Sequence, residues 1–259
     1  MQTDLFQRFA PTLRSLTPAE LWGDASLFDK LTIAREGQLQ VCYAPFEYLN
    51  PQARLLLVGI TPGRTQMVNA VREARRLMDV GASDEEVLRG AKRTAAFSGP
   101  MRNGLVALMD SVGVARWLGI GSSANLFGPA ADLVQTTSVL RNPVFVDGEN
   151  YNGTPNPARS ALLREQLLSG FVRDANALPQ ARILALGDKV AQILDLLVRE
   201  GALDASRLLG SVPHPSGANA ERIKYFLGQK PRAALSSKVD PDKLDRTREE
   251  IMGRIAALC

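Results

Sequence analysis

Arg54-Leu55-Leu56-Leu57-Val58-Gly59-Ile60-Thr61-Pro62-Gly63 is a short, almost wholly apolar run closed by a proline-glycine turn. A strand buried on both faces of a parallel sheet reads this way, because neither face meets water. Behind it, Met67, Val68, Val71, Ala74, Leu77 and Met78 recur at helical spacing while Arg72, Arg75 and Arg76 take other faces. Strand, glycine turn and helix together open a βαβ unit. Residues 181–187 (ARILALG) repeat the apolar run ending in glycine, and residues 188–200 read as the helix after it, capped by Asp188. Residues 133–140 (LVQTTSVL) and 207–212 supply two more strands.

Outward from this frame, residues 4–16 form a helix and Pro18 opens another, with Thr17 as its cap. Residues 38–43 alternate weakly, like a short edge strand. Further helices are expected over 84–92, 103–112 and 157–173, the last with Ala161, Leu168, Phe171 and Val172 on one face, and from Asp240-Pro241 onward with Leu244, Ile251 and Ile255 packed against the outside. Residues 141–153 read as a long polar loop. Helix and strand alternate from 54 to about 228, which predicts a three-layer α/β/α fold with a short, mostly parallel, four-stranded sheet. The expected organisation is one domain over 1–259, with an N-terminal helical extension at 1–50 and a C-terminal one at 231–259.

The 259 residues are 45% hydrophobic and 22% charged, as in ordinary globular proteins, and a net charge of +4 permits nucleic-acid binding without demanding it. Cys42 and Cys259 lie far apart with no CxxC spacing, so neither a four-cysteine zinc site nor an iron-sulfur cluster is within reach of one chain. The N-terminus, MQTDLFQRFA, lacks the basic start and apolar core of a signal peptide, and no apolar run reaches a membrane span. The expectation is a cytoplasmic protein with no membrane partner.

The only histidine, His214, sits between two prolines in Ser211–Tyr225, SVPHPSGANAERIKY. A ring that can donate a hydrogen bond is thereby fixed on a loop just before a helix, although a lone histidine is also an ordinary loop residue. In a parallel sheet the loops after residues 60, 140, 186 and 212 open at one edge, where ligands bind. Other chemistries fall away: GITPGRT lacks the lysine of a phosphate loop, there is no GxGxxG or GxSxG, and one histidine permits neither HExxH nor a two-histidine metal site. No metal or cofactor is expected.

Gly59-Ile60-Thr61-Pro62-Gly63 followed by His214-Pro215-Ser216-Gly217-Ala218-Asn219 resembles the paired motifs of the uracil-DNA glycosylase superfamily. The resemblance runs from about residue 54 to 226. It includes Phe97-Ser98-Gly99, similar to the family's base-stacking loop; Thr137-Ser138, where the family has a base-reading residue at a strand end; and Leu184-Ala185-Leu186-Gly187.

What the resemblance implies is a DNA glycosylase that hydrolyses the N-glycosidic bond of a flipped uracil or other deaminated or modified base, with DNA as partner. His214 would donate to the departing base and Thr61 would stand where several branches place the residue that holds the attacking water. Gly59, Ile60, Gly63, Phe97, Ser138 and Asn219 would surround the base. Ser216, Gly217, Ala218, Arg222 and Lys224 would meet the DNA. With no lysine inside the matched motifs, the enzyme would be monofunctional.

The departures are specific: Thr61 stands where those branches have Asp or Asn, Ala218 where a bulky wedge is frequent, and Ser138 where an Asn reads uracil. Asp147 and Glu149 are the nearest substitutes for a water-activating group. Two alternatives stay open: a nucleic-acid or nucleotide-binding member that lost the chemistry, and a hydrolase or transferase of free nucleosides or sugars.

Overall fold

The computed structural model describes residues 5–97 and 100–259. It begins with helices α1 (Leu5–Ser15), α2 (Pro18–Leu21) and α3 (Ala25–Lys30), then strands β1 (Thr32–Glu36), β2 (Leu39–Cys42) and β3 (Leu55–Gly59). Helices α4 (Arg64–Asp79), α5 (Asp84–Ala95), α6 (Pro100–Ser111) and α7 (Val114–Leu118) precede β4 (Val134–Ser138), β5 (Val144–Val146) and β6 (Glu149–Asn150). Helices α8 (Ala161–Gln166) and α9 (Arg173–Asn176), β7 (Arg182–Leu186), α10 (Asp188–Arg199), β8 (Leu208–Val212), α11 (Ala220–Phe226) and α12 (Pro241–Ala256) complete the chain. The class is α/β, as the alternation of patterns predicts. Among the described residues no helix is long and apolar enough to cross a membrane.

The chain divides into two compact units, each assembled from three stretches of sequence. One comprises residues up to Leu49, Ile60–Ala96 and Thr137–Asp174; the other comprises Asn50–Gly59, Phe97–Thr136 and Ala175–Cys259.

The second unit is organised on the parallel sheet, in the order β4-β3-β7-β8. β3 and β7 run in register from Leu55 opposite Arg182 to Val58 opposite Ala185, and β7 continues onto β8 with Leu186 opposite Val212. Every residue of β3 is buried, which is why the strand carries no polar alternation. Leu55, Leu57, Leu184, Leu186 and Val212 share one core with Leu105, Leu108 and Met109 of α6 and with Ile251 and Ile255 of α12.

The C-terminal helix is therefore not an addition on the outside. It lies on β8 because Gly210, at φ +128°, has no side chain: a Cβ there would sit 2.7 Å from Ile251. Asp240 caps the helix by accepting from the Lys243 amide at 3.0 Å, with Pro241 at its first turn.

The other unit holds α1 to α5 and an antiparallel sheet in the order β1-β2-β5-β6. Phe6, Phe9 and Leu13 of α1, Leu27 and Phe28 of α3, Met67, Ala70, Val71 and Ala74 of α4, and Phe145 of β5 form its core. The first 50 residues thus contribute two strands and a large share of a core, more than the helical extension expected of them. Local chemistry fixes the helix starts. Thr17 and Glu20 form a reciprocal capping box on α2, and Ser83 and Glu86 do the same on α5.

Four expectations are corrected. β2 is not an edge strand; it lies between β1 and β5, pairing Leu39 with Glu36 on one side and with Val146 on the other. The polar loop at 141–153 is a hairpin, with Phe145 opposite Asn150 and Val146 opposite Glu149. Asp188 is the first residue of α10; the cap is Gly187, whose φ of +95° no side-chain cap accompanies. The helix at 157–173 is broken by a π-helical turn at Leu167–Val172, which rotates Leu168 toward solvent and leaves Leu163, Leu167 and Phe171 as the buried face.

Candidate functional site

His214 follows β8 directly, on a three-residue segment with both flanking prolines buried. Fixed φ at Pro213 and Pro215 removes much of the freedom such a loop would otherwise have. Gly187 braces it from the side: its amide donates to the Val212 carbonyl at 2.9 Å, and a Cβ on it would lie 3.3 Å from the His214 Cβ. A close approach and a conformation reserved for glycine coincide at one residue, so Gly187→Ala is expected to destabilise the fold by about 1–3 kcal/mol in urea unfolding and to displace the His214 loop.

The imidazole is half-buried, and desolvation pushes its pKa below the ordinary histidine value of 6.5, so the ring is neutral at pH 7. Among the described residues no hydrogen-bond partner meets either ring nitrogen. A neutral imidazole in this state has one N–H free to donate.

The turn that follows, Gly217–Asn219, is a single 3₁₀ turn entering α11, with Gly217 and Ala218 exposed. Asn219 donates from Nδ2 to the Ser216 hydroxyl at 3.2 Å, and its Oδ1 accepts from Arg222 Nη1 at 3.2 Å. Arg222 Nη2 donates onward to the Lys238 carbonyl at 2.8 Å. The guanidinium expected to face DNA is thus engaged within the protein, whereas Lys224 is exposed. In the same unit Phe97 is 9% exposed and belongs to the core, edge-on to Phe127 with ring centroids 6.5 Å apart. It holds a φ of +21°, uncommon for a residue with a Cβ, and its carbonyl accepts from Arg102 Nε at 2.6 Å. Ser98 and Gly99 lie outside the described residues.

Within the unit that contains Thr61, the turn after β3 is held by its own side chains. Thr61 Oγ1 donates to the Asn142 carbonyl at 3.1 Å and accepts from the Val144 amide at 3.1 Å. Ile60 receives a bond from the Leu140 amide at 3.0 Å. At the start of α4 the Gly63 amide donates to Gln66 Oε1 at 3.0 Å and the Arg64 amide to Asn150 Oδ1 at 2.8 Å. Two of the helix's first amides are therefore spoken for by side chains rather than open to a phosphate. Arg64 also lies over the Phe28 ring at 4.1 Å and donates to the Gly148 carbonyl at 2.6 Å, clipping the β5–β6 hairpin to the helix. Asp147 and Glu149 are exposed on that hairpin, with Asp147 at φ +49° in its turn.

At the end of β4, Ser138 is 8% exposed, and the hydroxyl of its neighbour Thr137 is buried without a partner among the described residues. A buried orphan hydroxyl is destabilising unless something satisfies it. Sequence reasoning paired Thr137 with Ser138 but did not choose Thr137.

Lys92 was missed altogether. It is 7% exposed, donates to the Phe46 and Tyr48 carbonyls at 3.0 and 2.9 Å, and burial pulls its pKa down to about 7, partly offset by Asp174 and Glu47 and reinforced by Arg141. Arg141 and Asp174 form a buried ion pair at 2.9 Å, with Arg173 adding a second contact at 2.6 Å.

No family model matches the chain. It is similar to the uncharacterized protein YoxB of Bacillus subtilis (strain 168), 34% identical over 212 residues that cover 81% of this chain and 83% of the relative. Identity of that level over four fifths of both chains is what divergence within one family leaves, and the chain belongs to the family that includes YoxB.

Proposed function

We propose that this protein is a DNA glycosylase with a uracil-DNA glycosylase-like, three-layer α/β/α fold, hydrolysing the N-glycosidic bond of a flipped uracil or other deaminated or modified base. The observation that carries the reading is His214: a neutral, half-buried imidazole with no partner among the described residues, on a proline-locked loop at the C-terminal end of a parallel strand. Cleavage of the bond leaves negative charge on the departing base and oxocarbenium character on the sugar. A fixed donor that meets the base oxygen as charge forms stabilises that state more than the ground state. Exposed Gly217 and Ala218 let a backbone phosphate approach closely, and Lys224 adds attraction. Phe97, Gly59, Ile60, Gly63, Ser138 and Asn219 belong to the base-binding set implied by the motifs, and the neighbouring Thr137 hydroxyl, buried without a partner among the described residues, joins Ser138 as a reader of the base edge.

Thr61 favours a second reading. Its hydroxyl already donates once and accepts once, and it carries no charge, so it can do little to activate a water. A member that binds the flipped base without hydrolysing it accounts for that.

Oligonucleotides bearing uracil, hypoxanthine or xanthine, single- and double-stranded, separate the two. Release of free base in excess of an uninoculated control is expected. Tight binding with no release leaves the binding-only reading, and neither binding nor release removes both.

A further inference from the structure

Asn219 occupies the cap position of α11 yet makes no side-chain bond to the helix's first amides. Asparagine at that position ordinarily accepts from an amide two or three residues on. Here the side chain is diverted in both directions, backward to the Ser216 hydroxyl and forward to Arg222. Arg222 spans the gap to the Lys238 carbonyl, 16 positions further along the chain. Its neighbour Glu221 holds the same returning segment, accepting from Lys230 Nζ at 2.7 Å, the Ser236 amide at 2.9 Å and the Ser236 hydroxyl at 2.6 Å. Those bonds lower the Glu221 pKa to about 2, so the clasp is ionised throughout the neutral range. Tyr225 ties the next turn of α11 to Asp245 of α12 at 2.8 Å. The segment from Lys230 to Val239 is otherwise mostly exposed, with only a short 3₁₀ turn at Arg232–Ala234 of its own.

We propose that Arg222 is a positioning residue: through Asn219 it sets the conformation of the Ser216–Asn219 turn, and it mounts that turn on the segment ending at Val239. The planar guanidinium suits this task, since it presents separate N–H groups to two acceptors in a fixed fork, which a lysine ammonium on a flexible stem does not reproduce. The turn's readiness to meet a ligand then depends on a part of the chain outside the motif. Its consequence for DNA rests on the glycosylase reading above; its consequence for loop order does not.

Hydrogen–deuterium exchange of the full-length protein tests the mounting directly. In Arg222→Ala, amides of residues 216–222 are expected to exchange roughly ten-fold faster than in the wild type, with α10 unchanged and Arg222→Lys in between. Asn219→Ala should raise exchange of the same amides, and the double variant should add little to either single change. Unchanged exchange in Arg222→Ala, or additive effects of the two substitutions, overturns the proposal. Should Arg222→Ala loosen α10 as well, Arg222→Lys and Asn219→Ala carry the comparison. A deoxyuridine oligonucleotide supplies the second arm: KM for release, or Kd where no release occurs, is expected to rise about ten-fold in Arg222→Ala. Loosened exchange in a protein that ignores oligonucleotides bearing uracil, hypoxanthine and xanthine alike refutes the glycosylase reading and leaves the mounting intact. Tight exchange with weakened binding does the reverse.

Discussion

On the proposed glycosylase reading, His214→Ala is expected to lower the rate of base release by about 10²–10³-fold, the loss that follows when one preorganised donor to a developing oxyanion is removed. The substitution leaves a small gap on a half-buried loop and breaks no hydrogen bond among the described residues, so stability in urea changes by no more than about 1 kcal/mol. The two measurements together separate chemistry from folding. The pH profile sharpens the assignment. Desolvation holds the folded-state pKa below 6.5, so the ring is already deprotonated above that pH and gains nothing from further alkali. A neutral donor therefore gives a release rate that is flat from about pH 6.5 to 8. A rate that falls steadily across that range would assign the work to an imidazolium, and a variant as fast as the wild type would remove His214 from the mechanism.

Lys92→Met is expected to destabilise the protein by about 2–4 kcal/mol, read as the shift in urea unfolding free energy at pH 7. Methionine fills a similar volume but withdraws the donor that meets the Phe46 and Tyr48 carbonyls. The pH dependence has a definite sign. An unfolded lysine keeps its proton up to about 10.5, whereas in the fold Lys92 gives it up near 7. Between those values the unfolded state binds more protons, so this residue makes stability rise with pH above 7, and the contribution is lost as pH falls through 7. Wild-type stability should therefore gain up to about 1.4 kcal/mol per pH unit over the methionine variant's own trend between pH 7 and 8.5. Parallel pH trends in the two proteins would show that Lys92 keeps an ordinary affinity for its proton.

The parallel sheet was legible because burial on both faces leaves its mark in one dimension: residues 55–59 and 183–186 are apolar throughout, as strands must be where water reaches neither side. The antiparallel sheet was harder. β1, TIARE, is half-exposed and carries charges, so no alternation stands out. The β5–β6 hairpin did announce itself, since Asp147-Gly148 after Val144-Phe145-Val146 is a strong tight-turn signal, and Asp147 at +49° with Gly148 at +77° takes the left-handed pair that such a turn needs. Flanking strands of only three and two residues carry too little alternation to set the hairpin apart from a loop in the sequence.

His214 could be found from sequence because it is the lone histidine between two prolines. Lys92 could not: beside Arg89 and Arg93 in α5 it looks like part of a solvated face, and only the tertiary fold covers it. The unsatisfied hydroxyl of Thr137 has the same origin, since partner and solvent access are properties of the folded chain.

The interleaving of the sheet with the rest of the chain bears on how the protein is made. β3 leaves the ribosome well before β4 and long before β7, the two strands it lies between. At ordinary synthesis speeds, on the order of ten seconds pass before β7 follows it out. During that interval its apolar side chains and unpaired amides form a sticky surface, and nascent chains arrested after β3 has emerged but before residue 182 is made are expected to recruit chaperones or aggregate.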